Sequence, residues 1–187
     1  LLWRWNKAAG PYVEGRPQHT VGTKLVGKID FADGIGLMGH SRGGDAVTDY
    51  IAYNRNKTGG QRRFVIDAVI ALAPVNYTRF KTPYGTNYAV ILPACDGDVS
   101  TLQGGRFFEN AKYAAGNDGF AKVQWYVQGA NHNFFNTVWT DDDSSTTTDP
   151  ACARSLPTTA RLTPGDQRRV GQALMNGFLR RFVGDEK

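Results

Sequence analysis

Four short apolar runs punctuate the chain, at residues 35–39, 64–73, 89–94 and 122–128. Each is rich in Val, Ile or aromatic residues and is bounded by Gly, Asp or Pro, which predicts buried strands. The second and third are apolar without alternation, the habit of parallel strands covered on both faces by helices. Between and after them hydrophobic residues recur at helical spacing. Residues 43–56 carry Ala46, Val47, Tyr50, Ile51 and Tyr53, then stop at Lys57-Thr58-Gly59-Gly60, and residues 102–115 repeat the pattern less cleanly. Thr163-Pro164-Gly165-Asp166 reads as an N-cap with Pro in the first helical position, followed by Val170, Ala173, Leu174, Phe178, Leu179 and Phe182 on one face. Residues 1–6 have the look of a helix tail, 10–34 read mostly as loop, and 141–160, rich in Asp, Ser, Thr and Pro, as a surface loop. Alternating strands and helices predict an α/β fold, a mostly parallel sheet flanked by helices.

At 187 residues the chain holds a single domain. Its 41% hydrophobic and 21% charged content is that of a packed globular protein, not a disordered or fibrous one. The net charge of +5 is dispersed, with pairs at Arg62-Arg63, Arg168-Arg169 and Arg180-Arg181 rather than a stripe, so no nucleic-acid partner is expected. No apolar run approaches the roughly 20 residues of a membrane span.

The chemistry concentrates in Gly39-His40-Ser41-Arg42-Gly43-Gly44, directly after an apolar run and directly before a helical pattern. This is G-x-S-x-G in the strand–turn–helix context that gives the motif meaning. A turn that tight strains the Ser backbone and leaves no room two residues to either side, so Gly39 and Gly43 are expected as steric necessities. It lifts the hydroxyl clear of the sheet and points the Arg42 amide at the place where an oxyanion would form. A Ser hydroxyl needs a base, and the base an acid, in the chain order Ser, acid, His. The third run ends at Ala94-Cys95-Asp96-Gly97-Asp98 and the fourth at Gly129-Ala130-Asn131-His132, where a parallel sheet places its functional loops. Of the three histidines, His40 adjoins the nucleophile, His19 lies in the region ahead of the sheet, and His132 alone stands where a base is needed. Asp96 and Asp98 both remain open as the acid, with Asp98 preferred because the acid commonly follows a small turn beyond the strand end.

Two further patterns carry blander readings. Gly34, Gly36 and Gly39 spell G-x-G-x-x-G, but the first two precede or lie within the apolar run instead of opening a helix, so no dinucleotide cofactor is expected. Asp141-Asp142-Asp143 lacks the spacing of a calcium loop and reads as a solvated acidic run, so no metal is expected.

From its nucleophile strand to its last helix the chain resembles the α/β-hydrolase superfamily. Within it, the chain is most similar to secreted bacterial serine esterases of the cutinase and polyester-hydrolase type, whose acid and base surroundings have the forms Ala94-Cys95-x-x-Asp98 and Gly129-x-x-His132. The resemblance implies Ser41 as nucleophile, His132 as base then acid, Asp98 as the group orienting His132, the Arg42 amide in the oxyanion hole, no cofactor, and an extracellular location. With the acid and base loops as neighbours, a Cys95–Cys152 disulfide is sterically reasonable, and a secreted enzyme would retain it. Other acyl chemistries of the same fold, peptidase, amidase or acyltransferase, and a non-catalytic binding module are the competing functions.

Only residues 74–88 separate the second and third runs, too few for a helical cap. An open, lidless cleft is therefore expected, suited to bulky or polymeric esters, with His40, Tyr77 and Phe134 against the substrate and Phe80, Tyr84, Tyr88 and Phe135 as further wall candidates. Forty residues precede Ser41, whereas the superfamily places several strands and the second oxyanion donor ahead of its elbow. The resemblance therefore implies the C-terminal part of such a fold, completed by a companion N-terminal chain.

Overall fold

The computed structural model describes residues 10–13, 16–21, 25–31, 33–59, 63–77, 81–114, 118–146, 150–153 and 161–184. Residues 1–6, with their helix-tail pattern, lie outside this set, as does Phe80.

Four parallel strands form the central sheet in the order β3 (Ile35–His40), β4 (Ile66–Leu72), β5 (Asn87–Pro93), β6 (Lys122–Val127). All four coincide with the apolar runs. Alternate residues of the two central strands feed opposite faces, because successive side chains on a strand point to opposite sides. Ala68, Ile70, Ala89 and Ile91 face a core that includes Phe135 and Phe178. Val69, Ala71, Val90 and Leu92 face another that includes Ile51 and Phe107. Burial on both faces is what the unbroken hydrophobicity requires.

Helix α1 (Arg42–Arg55) and helix α2 (Gly105–Glu109) cover the Ile51–Phe107 side, and helix α3 (Pro164–Phe182) covers the other. In α3 the Thr163 hydroxyl accepts the Asp166 amide and Pro164 opens the first turn, as its sequence dictates. The pattern over 102–115 resolves into α2 and a π-helical turn, Asn110–Ala114, which accounts for its irregular spacing.

The region 10–34 is not all loop. β1 (Gly10–Val13) and β2 (Arg16–Val21) pair antiparallel as a separate two-stranded sheet. Pro11 and Pro17 interrupt both segments and β2 is mostly polar, so neither carries the apolar run that marks a buried strand.

The glycines of the formal G-x-G-x-x-G have structural occupations. Gly34 takes φ +93° against the Asp67 carboxylate, and Gly36 sits where α3 crosses β3, with a Cβ there falling 3.0 Å from Leu179 Cδ2.

Phe178 anchors α3 farther across the sheet, packing edge-on against Trp125 of β6 with ring centroids 5.9 Å apart. Phe178→Ala is expected to lower the unfolding free energy by about 3–5 kcal/mol in urea titrations. A loss below about 1 kcal/mol would show that α3 does not carry the core on its side.

Candidate active site

Ser41 stands between β3 and α1 with φ 57° and ψ −121°, a conformation a non-glycine residue holds only where its surroundings impose it. Its amide donates to Leu72 O at 2.9 Å, tying the turn to the neighbouring strand, and its carbonyl accepts the Gly44 amide at 2.9 Å, starting the helix. Ser is a favoured N-cap because its hydroxyl can bond the first turn. Here it does not cap the helix, so the hydroxyl is not committed to the backbone.

Gly39 and Gly43 are not the equal steric necessities that the motif suggests. A Cβ on Gly39 would fall 2.0 Å from Gly43 O, so Gly39 is obligatory, but a Cβ on Gly43 meets nothing within 4 Å. The second demanding position is Gly44, where a Cβ would lie 2.7 Å from Pro74 Cβ. What Gly39 accommodates is the backbone of residue 43, not its side chain.

The acid and base loops are held together by continued pairing past the strand ends. Ala94 N donates to Val127 O at 3.0 Å and Cys95 N to Ala130 O at 2.7 Å. The Cys95–Cys152 disulfide is formed and ties the loop after the base to the acid strand, as expected. His132 is thereby brought against Asp96, not Asp98. Its Nδ1 lies 2.9 Å from Asp96 Oδ2 and 3.1 Å from Oδ1, with both side chains almost fully buried. Asp96 Oδ1 also accepts the Asp98 and Val99 amides at 3.0 and 2.6 Å. The preference for Asp98 as the orienting acid is thus corrected: the chain turns back over Asp96 immediately after it, enclosing that carboxylate and carrying Asp98 outward. The Asp98 side chain is 65% exposed and reaches the opposite ring nitrogen, Nε2, at 3.5 Å.

Burial acts to lower the His132 pKa, but the Asp96 hydrogen bond and the charges of Asp96, Asp98 and Asp143 outweigh it and hold the imidazole above its ordinary value. Nε2 is buried without a hydrogen-bond partner, the nearest carboxylate oxygen, Asp98 Oδ2, lying 3.5 Å away. His40 behaves oppositely. Its ring lies 4.6 Å from that of His132, and desolvation followed by the charge of His132 brings its pKa down to about 4. The raised His132 value adds stability at acid pH that is lost as pH rises through that value. The lowered His40 value removes stability as pH falls from 6.5 toward about 4, where only the unfolded chain gains the proton.

Asp141-Asp142-Asp143 is not simply a solvated run. The Asp143 carboxylate accepts the Gly97 amide at 2.7 Å and the His132 and Asn133 amides at 3.2 Å each, clamping the acid loop to the base loop. Asp142 bonds Arg161, Ser144 and Asn131; burial works against its charge, but these donors hold its pKa down to about 2. Gln167 in the first turn of α3 closes the frame, accepting the Asn131 amide at 2.9 Å and donating to Asn131 O at 2.7 Å. Among the described residues no cluster of His, Cys, Asp and Glu has the grouping that would hold a metal ion.

Ser41, Arg42, His40, Asp98 and His132 line one open cavity of about 710 Å³, walled further by Gly97, Asn133, Thr140, Asp141 and Asp143 and by two large apolar residues, Val138 and Trp139. Trp139 stacks on His132 at 15° and 6.1 Å and leans on His40 at 4.9 Å, its loop set by the Asn136 side chain accepting the Val138 and Trp139 amides. Tyr77 and Phe134 are not among the lining residues. Tyr77 points to solvent, while Phe134 is buried in the 3₁₀ turn after His132 and borders a separate small cavity. Tyr84 borders another cavity, Tyr88 is a core residue bonded to Thr48, and Phe135 belongs to the α3 core. An aromatic near a motif in sequence is more often packing than wall, and only the fold selects Trp139.

Comparison with protein-family models and with curated proteins finds no match to this chain. The chemistry therefore rests on the residues and their geometry.

The close approach at Gly39 makes a sharp contrast testable. Gly39→Ala is expected to destabilise by more than about 3 kcal/mol, since backbone must move to admit the methyl group. Gly43→Ala, in open space on a helix, is expected to be neutral or stabilising by up to about 1 kcal/mol. Denaturant unfolding of the two variants gives the comparison, and equal effects would contradict the geometry.

Proposed function

We propose that the protein is a serine hydrolase of the α/β-hydrolase type that cleaves carboxylic esters through an acyl-enzyme. The observation that carries this reading is a strained, uncapped Ser41 sharing one cavity with His132, whose Nδ1 is bound by the buried carboxylate of Asp96. Asp96 accepts the Nδ1 proton, which leaves Nε2 as the basic nitrogen on the cavity side. Ser41 Oγ attacks the ester carbonyl as Nε2 takes its proton, and the developing oxyanion is received by the Arg42 amide at the start of α1. His132 then returns the proton to the departing alkoxide, and water releases the acid by the same steps in reverse order. Asp96 keeps the imidazole in the useful tautomer and stabilises its cationic form.

A disulfide, together with the absence among the described residues of any helix long and apolar enough to cross a membrane, supports a secreted location. The outer edge of β3 pairs with no strand among the described residues, which supports a companion strand there.

Ser41→Ala is expected to abolish both ester hydrolysis and labelling by a fluorophosphonate probe. Full activity in that variant, or a folded wild type that does not label, would end the hydrolase reading.

The raised His132 pKa fixes the pH dependence. The base must be neutral, so kcat/KM is expected to rise with pH along a limb whose midpoint lies above 6.5. Asp96→Asn is expected to lower kcat/KM by about 10³–10⁴-fold and to move that limb down in pH. If Asp98→Asn has the larger effect on both, the assignment of the acid is wrong.

A further inference from the structure

Resting on the ester-hydrolase reading and deepening it, we propose that the site selects esters whose leaving alcohol carries a cation, such as an ammonium group. The chain as a whole is basic, at +5, yet three acidic residues, Asp98, Asp141 and Asp143, line the cavity against one basic residue, Arg42. Asp143 is committed to backbone amides and contributes its field, while Asp98 extends its carboxylate into the open space of the cavity.

The position of Asp98 decides which part of the ester it meets. His132 is 98% buried, and Nε2, its one ring nitrogen without a hydrogen-bond partner, is the atom that must hand a proton to the departing oxygen. A group hydrogen-bonded to Nε2 therefore lies beside Asp98, whose Oδ2 is 3.5 Å from that nitrogen. The oxyanion, received by the Arg42 amide at the start of α1, is a different substituent of the same carbon. The half-exposed Trp139 ring, parallel to His132 and in the same cavity, offers the aromatic face on which an alkylammonium group rests. An anionic leaving group in the same place would meet the carboxylates and be rejected by like charge.

The balance is that of ordinary hydrolysis. The Ser41 Oγ–carbonyl bond forms and the carbonyl–alkoxide bond breaks. The alcohol departs with its cation intact, carrying the proton His132 took from Ser41, and water releases the carboxylic acid from the acyl-enzyme.

The test compares acetylcholine with 3,3-dimethylbutyl acetate, which replaces the nitrogen by carbon at the same shape. Wild type is expected to favour the cationic ester by about tenfold in kcat/KM at low ionic strength, with the preference shrinking in about 0.5 M NaCl as the carboxylates are screened. Asp98→Asn and, separately, Trp139→Leu are each expected to reduce that ratio; the readout is the ratio of the two esters, not the absolute rate of either variant. A wild-type ratio near one, with the neutral ester readily hydrolysed, overturns the cation preference and leaves the hydrolase reading standing. Full retention of the ratio in Asp98→Asn overturns the role of that residue. Failure to hydrolyse either ester, combined with no fluorophosphonate labelling, overturns both readings together.

Discussion

The contact between the Asp96 carboxylate and His132 Nδ1 is the constraint on which the site depends. A carboxylate removed from water is costly unless its lone pairs are satisfied, and Asp96 is satisfied by the imidazole and by two amides of its own loop. The imidazole is a partner only while the acid and base loops stay in register. The β5–β6 pairing continues past the strand ends through Ala94 and Cys95 to hold that register, the Cys95–Cys152 bridge pins it from outside, and Asp143 clamps Gly97 to His132. The extent of this framing for one imidazole is the physical sign that its orientation matters.

Two carboxylates two residues apart are thus given opposite environments. Asp96 is enclosed and bonded to Nδ1, where it sets tautomer and charge. Asp98 is exposed on the cavity side, where it acts on whatever approaches Nε2. In the proposed reaction one stabilises the base and the other sorts the substrates. The difference arises from a single reversal of the chain at residues 97–99, which wraps amides around the first carboxylate and carries the second outward.

The sheet was legible because both faces of its central strands are buried, which leaves the plainest of sequence signals, an unbroken apolar run. The last helix was legible through its cap and its one-sided stripe. The β1–β2 hairpin was not, since two prolines and a polar second strand give no such pattern. Within the site, Ser41 and His132 follow from the motif and from the ends of strands. The choice between Asp96 and Asp98 does not, because it depends on which way a short loop folds back; the one available hint was that Asp96 adjoins a cysteine able to anchor it. Asp142 and Asp143 were hidden for a related reason. An acidic run facing solvent and one desolvated by Arg161, Asn131 and loop amides read alike, and the partners come from distant parts of the chain. Trp139 carries no sequence signal that separates it from the other aromatics, of which Tyr77 is exposed and Tyr88 and Phe135 are core.

The central claim, that Asp96 and not Asp98 holds His132 in its working orientation, is tested most directly by proton NMR of the imidazole. A proton in a buried imidazole–carboxylate bond resonates far downfield and exchanges slowly with water. The structure predicts such a signal from His132 Nδ1–H in the wild type, its loss in Asp96→Asn and its persistence in Asp98→Asn. A signal that survives in Asp96→Asn and vanishes in Asp98→Asn would contradict the account.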